Sequence, residues 1–445
     1  MRVTVVGAGY VGLVTAVCLA EKGHNVICAD LDREKIDKIR LAIPPIHEPG
    51  LEELLRRNVG TRLVATTSLH NAVVDSDVTL IAVGTPFDGN AIDLGQIRRA
   101  AANIGTALRN TSTYHLVVVK STVVPGTTDE VVTPILEAAS GKKAGPDFGI
   151  GVNPEFLTEG EAVKDFMYPD RLILGGMDDR TIDTLAALYS PFNGVEQLRT
   201  NNRTAEMIKY TSNALLATAI SFSNEIANLC SALGGVDVVE VMRGLHLSKY
   251  LSPILPDGSR SVAPITDFLW AGCGFGGSCL PKDVKALIAH GKRAGHPMSL
   301  LEAVIRVNEH QPHQLLALLR RHFRSLKGIR VAVLGLAFRP GTDDMRESPA
   351  IPIIKELLAA ESEIKAYDPA ASHQAAKAIR SQHFALCDDL VQAMTDVDAI
   401  MLVTRWEEFR RVPELLAQLR PQPVFIDGRR MLDKRTIARY EGIGL

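Results

Sequence analysis

The segment GCGFGGSCLPKDV (272–284) sets a cysteine, Cys279, between a glycine-rich run and Pro281-Lys282-Asp283. Proline and an acid in a first turn mark a helix start at that point. A thiol beside a helix N-terminus and a lysine becomes more acidic, and so more nucleophilic near neutral pH; the plainer alternative is a packed free cysteine. Gly276 and Gly277 would let backbone approach a ligand closely. In AEMIKYTSN (205–213), Lys209 and Asn213 stand four apart on one helix face, with Asn224 roughly on the same side. Such residues are either solvated surface or a cation and an amide aimed at a reacting oxygen. NPEFLTEGEAVKDFMYPDR (153–171) begins at a strand end and places Glu155 and Glu159 four apart, as a general base near a redox site or on a capped surface helix.

Redox chemistry is suggested by the N-terminus. Gly7-Ala8-Gly9-Tyr10-Val11-Gly12 follows the strand-like RVTVV (2–6), opens an apolar helix pattern and is followed by NVICAD (25–30), which ends on Asp30. The glycines serve a tight turn, close approach to a pyrophosphate and helix–strand packing, and the acid takes the adenine ribose hydroxyls. NAD is the expected cofactor, with Arg33 the one residue that would favour NADP. VGTP (83–86) and KSTVVPGT (120–127) end the next strands, which makes Thr85 and Thr122 either cofactor-site residues or helix N-caps.

The elements that must position these groups alternate. VTLIAV (78–83), HLVVVK (115–120), FGIGV (148–152) and RLILG (171–175) continue the first two strands, as a parallel sheet covered on both faces. No glycine or proline interrupts Val195 to Leu233, a stretch that predicts one long helix. After a Pro/Gly/Ser-rich segment the pattern resumes with IRVAVLGLAF (329–338), EIKAYDP (363–369), DAIMLVT (398–404) and PVFIDG (423–428). The expected fold is α/β: two Rossmann-like, doubly wound domains, 1–198 and 310–445, joined by a helical region, 199–309.

Composition bounds the function. A chain of 445 residues, 46% hydrophobic and 22% charged, is a folded globular protein of several domains. A formal charge of −2 gives no positive field to draw in nucleic acid or acidic membranes. No apolar run reaches the length of a membrane span and no leader is evident, so a cytoplasmic protein is expected. The six cysteines show no metal-ligand clustering and are expected as reduced thiols, with Cys273 and Cys279 set apart from the other four by their glycine-rich surroundings.

In order along the chain stand GAGYVG, VGTP, STVVPGT, NPEFLTEG, PDR, AEMIKYTSN, GFGGSCLPKD, GTDDMRESP and DGRR. With this set the sequence resembles the nucleotide-sugar dehydrogenases, the UDP-glucose 6-dehydrogenase and GDP-mannose 6-dehydrogenase family, over nearly its whole length. The resemblance implies an NAD-binding N-terminal domain, a central region that forms a homodimer and a C-terminal domain for the nucleotide diphosphate. It implies a four-electron oxidation of a sugar C6 alcohol to a carboxylate with Cys279 as nucleophile. Asp283 then assists water and proton handling, Lys209 and Asn213 steady the sugar oxygens, and Thr122 organises the water. Glu155 and Glu159 line the site, Glu159 as the base for that water. Implied cofactor contacts are Gly7, Gly9, Tyr10, Val11, Gly12 and Asp30, with Lys35, Thr85, Thr122, Glu159, Lys282 and Arg346. Implied substrate contacts are Glu155, Phe156, Leu157, Lys209 and Asn213, with Phe275, Gly276, Phe338, Arg339 and Arg429.

Departures bear on the substrate. Phe338-Arg339 replaces the family's usual Phe-Lys, and the long segment before Cys279 lacks the Arg-Ile-Gly motif common in UDP-glucose enzymes. Arg260, with Arg243 as second choice, is the expected replacement reaching the sugar across the dimer. HLSKY (246–250) resembles the GDP-mannose branch, whereas PDR (169–171) and DGRR (427–430) resemble the UDP-glucose branch. UDP-glucose is the expected substrate, with GDP-mannose, TDP-glucose or UDP-N-acetylmannosamine as alternatives. A two-electron hydroxy-acid dehydrogenase would share the glycine fingerprint but has no use for the thiol.

Overall fold

Runs of Val, Ile and Leu without polar alternation have no face to offer water, so they fold as strands covered on both sides. In the computed structural model, which describes residues 1–445, they build one sheet in each of two units, Met1–Ser212 and Asn213–Leu445. The first sheet comprises β1 (Arg2–Val6), β2 (Asn25–Ala29), β3 (Leu63–Thr66), β4 (Val78–Ile81), β5 (His115–Val119), β6 (Phe148–Val152), β7 (Arg171–Gly176) and β8 (Glu196–Thr200). Their order is β3-β2-β1-β4-β5-β6-β7-β8. The expected all-parallel sheet is corrected at one pair: β6 and β7 run antiparallel, with Gly151 opposite Gly176 and Val152 opposite Gly175. An antiparallel neighbour needs no crossover to the far end of the sheet. Residues 153–170 therefore stay at the edge where the carboxyl ends of β1, β4 and β5 also lie.

Helix α1 (Tyr10–Glu21) is buried from Gly12 through Ala20, which explains why it is apolar all round. Helix α2 (Arg33–Arg40) is amphipathic and begins at Asp32, whose carboxylate accepts the Lys35 N–H. The long helix α3 runs from Asn202 to Leu233, and the division between the units falls within it. Its expected first residues are instead β8, a largely exposed edge strand paired with Arg171–Gly175 of β7; the ladder outweighs a polar composition that reads as helix.

The second unit continues with α4 (Val238–His246), α5 (Leu280–Arg293) and α6 (Ser299–Arg320). Its sheet is wholly parallel: β9 (Arg330–Leu334), β10 (Glu363–Tyr367), β11 (Phe384–Leu386), β12 (Ala399–Leu402), β13 (Val424–Asp427) and β14 (Tyr440–Gly442), in the order β11-β10-β9-β12-β13-β14. Short strands β3, β11 and β14 escaped the sequence reading because each is only three or four residues long. The two sheets repeat one arrangement. Gly7 and Gly335 each end a first strand with positive φ, +106° and +95°, and each donates its N–H to the last carbonyl of the neighbouring strand, Ala29 and Tyr367, at 2.8 Å. The following carboxylates differ. Asp368 is buried and accepts from Leu336, Ala337, Ala370 and Ala371 N–H and from the Trp406 indole, whereas Asp30 accepts only from Ala8 and Asp32 N–H among its hydrogen bonds.

Candidate active site

The glycine turn after β1 has the form a dinucleotide requires. A Cβ on Gly12 would lie 1.8 Å from the Gly7 carbonyl oxygen, so only glycine lets α1 start this close to the strand. Gly9 is the N-cap of α1, with no side chain capping the helix and no neighbouring atom within 4 Å of its missing Cβ. An open helix N-terminus of this kind favours a pyrophosphate. Asp30 stands over the turn, accepting the Ala8 N–H at 2.5 Å and the Asp32 N–H at 2.9 Å. The residues fit NAD. Arg33 pairs with Asp37 along α2, and Lys35 pairs with Asp32 at 3.8 Å. The Tyr10 hydroxyl donates to Glu48, and both accept the Gly160 N–H, at 2.8 and 2.9 Å. Burial and the Glu48 carboxylate push the Tyr10 phenol well up. This network holds the loop of buried Glu159 against the first turn of α1.

Neither Glu155 nor Glu159 is helical; both lie in the loop after β6 and both are buried, which removes the capped surface helix. Glu155 pairs with Lys209 at 3.1 Å and accepts the Leu157 N–H at 2.6 Å, while the Lys209 ammonium lies 5.5 Å from the centre of the Phe156 ring. Burial alone would raise Glu155, but Lys209 and the Leu157 N–H outweigh it and hold the carboxyl below the usual carboxylate range. Lys209 and Asn213 are not solvated surface, being 4% and 7% exposed. Beneath this pair Lys120 is buried and donates to Asn153 Oδ1 at 2.8 Å. Burial lowers its ammonium to about 8, against the pull of Glu155 and with the push of Lys209. Thr85 and Thr122 are not helix caps: the Thr85 hydroxyl donates to the Thr122 carbonyl at 2.8 Å, tying the ends of β4 and β5 together.

In the second unit Cys279 is the N-cap of α5 and only partly buried, at a helix end that favours negative charge. Asp283, one turn on, is 1% exposed; its N–H donates to the Cys279 carbonyl and its carboxylate accepts from Asn213 Nδ2 at 2.6 Å and Lys282 Nζ at 2.5 Å. The glycine-rich loop is built differently from expectation. A Cβ on Gly276 would lie 2.3 Å from the Glu347 carbonyl oxygen, and one on Gly277 2.7 Å from the Phe338 ring, so both glycines admit the chain's own atoms. Cys273 is fully buried, and burial raises its thiol; it belongs with the packed cysteines. Asn308 clamps Phe275 by accepting its N–H at 2.7 Å and donating to its carbonyl at 3.0 Å, and Asn224, also buried, accepts the Gly272 N–H at 2.8 Å. Arg429 donates to the Gly274 carbonyl at 2.8 Å, and Arg405 donates to the Arg429 carbonyl. Arg339 is half-buried on the loop after β9; Arg346 forks onto Asp344 and its carbonyl accepts the Gly277 N–H. Arg260 donates to the Leu247 and Ser252 carbonyls of its own loop, and Arg243 is exposed on α4.

Three domains of the UDP-glucose/GDP-mannose dehydrogenase family match in sequence: the NAD binding domain over residues 1–193, the central domain over 203–310 and the UDP binding domain over 332–434. The chain belongs to this family. Among its relatives, UDP-glucose 6-dehydrogenase AglM of Haloferax volcanii is 42% identical over the full length of both chains. A UDP-glucose 6-dehydrogenase of Pseudomonas aeruginosa is 40% identical, covering all of this chain and 97% of that one. The solved structure of a UDP-glucose dehydrogenase from Pyrobaculum islandicum superposes with a TM-score of 0.89 at 37% identity, covering 99% and 97% of the two chains.

As a member of this family the protein is an NAD-dependent nucleotide-sugar 6-dehydrogenase. Several residues packed near the expected ones escaped the sequence reading. Lys120 was visible only as the polar end of an apolar strand, and Arg405 follows β12 in VTRW (403–406) in the same way. Polar residues at carboxyl ends of parallel strands are the signal that finds both. Glu48 reaches Gly160 from over a hundred positions away and Asn308 reaches Phe275 from over thirty, and no local pattern marks either.

Proposed function

We propose that the protein oxidises the C6 alcohol of UDP-glucose to a carboxylate through a thiohemiacetal and a thioester on Cys279. Cys279 at the N-cap of α5, with buried Asp283 held one turn away, is the observation that carries the reading. NAD held at the glycine turn and Asp30 would supply the hydride acceptor for both oxidations at C6. After the first, the thiolate adds to the aldehyde carbon, forming a C–S bond and an oxyanion on which Lys209 and Asn213 act. The second restores the carbonyl as a thioester. Water organised by Thr122, with Glu159 taking its proton, adds to the acyl carbon; the C–S bond breaks and the thiolate leaves. Glu155 pairs with Lys209 and holds it in place, while Arg429 and Arg405 offer positive charge to the diphosphate.

Two NADH per sugar are expected, measured at 340 nm against limiting UDP-glucose. One NADH with a released aldehyde would overturn the reading. The HLSKY segment favours GDP-mannose as a second reading, and a relative of that name in Pseudomonas putida is 38% identical; turnover of GDP-mannose in preference to UDP-glucose would establish it. The working form in this reading is a homodimer. Leu215, Phe222 and Leu229, seven apart on α3, are 60%, 47% and 54% exposed, an apolar stripe that a second copy would cover. Sedimentation at monomer mass would refute the dimer.

A further inference from the structure

Glu206 lies three residues before Lys209 on α3, is 2% exposed and has no part in the reaction as described above. Its carboxylate gathers three donors from one turn. Oε2 accepts the Gly126 N–H at 2.6 Å, and Oε1 accepts the Thr128 N–H at 2.9 Å and the Thr128 hydroxyl at 2.7 Å. That turn closes the segment that begins at the end of β5, and Thr128 opens a short π-helix, Thr128–Val132. The segment is pinned at its start as well: Ser121 donates to the Val83 carbonyl at 2.7 Å, and Thr122 supplies the carbonyl that accepts from Thr85. Thr122 thus sits on a short span of backbone fixed at one end to β4 and at the other to the helix that carries Lys209. Every partner of Glu206 is a donor, so a side chain that accepts at both terminal atoms is required; glutamine would turn an NH2 toward one of them.

We propose that Glu206 is a positioning residue for the water step, holding Thr122 in fixed relation to Lys209 so that water meets the acyl carbon of the Cys279 thioester. The proposal rests on the reading of Thr122 given above. In this step the water oxygen bonds to the acyl carbon, its proton passes to Glu159, and the sulfur leaves with the C–S electron pair. Removing Glu206 then slows hydrolysis and spares both hydride transfers.

The full-length enzyme with E206Q, mixed rapidly with NAD and UDP-glucose, is expected to release two NADH per site in a burst close to the wild-type rate. A steady state about 10- to 100-fold slower follows, the scale set by misplacement of a reacting group by about an ångström. The KM values for both substrates stay within about twofold, and mass spectrometry finds the Cys279 peptide acylated. T128V, which removes one donor and keeps the side-chain volume, gives the same pattern more weakly; if E206Q does not fold, T128V carries the test alone. Wild-type kinetics, a burst slowed as much as the steady state, or a loss that follows only the fall in folded fraction overturns the proposal. One NADH per sugar from the unmodified enzyme overturns the four-electron reading itself, and this outcome is separate from any effect of Glu206.

Discussion

Cys279→Ser loses steady turnover by about a thousandfold or more, as removal of a nucleophile does where the rest of the site stays whole. The fold should tolerate the change, because position 279 is the N-cap of α5, where a serine hydroxyl can accept an N–H from the first turn. A hydroxyl at neutral pH is a far weaker nucleophile than a thiolate, and an ester on serine is a worse acyl donor than a thioester. The variant is therefore expected to retain NAD binding and its melting temperature. With sugar it yields at most one rapid NADH per site and holds an aldehyde-level species. Thermal melts, NAD titration and single-turnover NADH formation read these separately. Sustained turnover at the wild-type rate would remove Cys279 from the mechanism.

Lys209→Met is expected to lower kcat by about 10²–10³-fold, the usual cost of removing a buried group that stabilises an oxyanion. It also destabilises the fold, because Glu155 is as deeply buried as Lys209 and loses its counter-ion; breaking a pair of this kind costs about 3–5 kcal/mol. The pH dependence identifies the cause. In the unmodified protein the Glu155 carboxyl is held below its unfolded value, so its contribution is present above that value and lost as pH falls through the folded one. Without Lys209 the uncompensated burial acts in the opposite sense, and protonating Glu155 relieves the penalty. The stability gap between variant and parent should accordingly narrow as pH falls from the raised folded value of the variant to the lowered one of the parent, a window that brackets the unfolded carboxyl value of about 4–5. Adding Glu155→Gln to Lys209→Met should restore most of the stability and none of the activity. A gap independent of pH, or a double variant no more stable than the single one, would separate Glu155 from Lys209.

Much of this architecture is legible because it is local. The glycines of GAGYVG, Asp30, the helix start at Pro281 and the body of α3, though not its first residues, each follow from adjacent residues whose types tolerate few alternatives. Direction is not local: RLILG has the same hydropathy whether it runs with or against β6, so the reversal of β7 lay beyond the sequence. Partnership is not local either. Glu155 and Glu159 left a capped surface helix open beside the general-base reading because four-residue spacing suits a helix, yet a loop buried by Lys209, Tyr10 and Glu48 places them just as well. Gly276 and Gly277 show a further ambiguity. Glycine reports that something comes close, and here that something is Phe338 and the Glu347 carbonyl.

The saturated Asp368 sets a limit on transplantation. Writing the dinucleotide fingerprint into residues 335–340 would reproduce the turn, since Gly335 already holds the required φ of +95°. It would recruit no ribose. The carboxylate that ought to receive the hydroxyls is already committed to four backbone N–H groups and an indole, and freeing it means dismantling the anchorage of Trp406 and the start of the helix that follows β10. Two sheets that share the order of six strands thus part company at a single side chain beside the first glycine turn. An engineer seeking a second cofactor site in this chain would have to begin with Trp406 rather than with glycine.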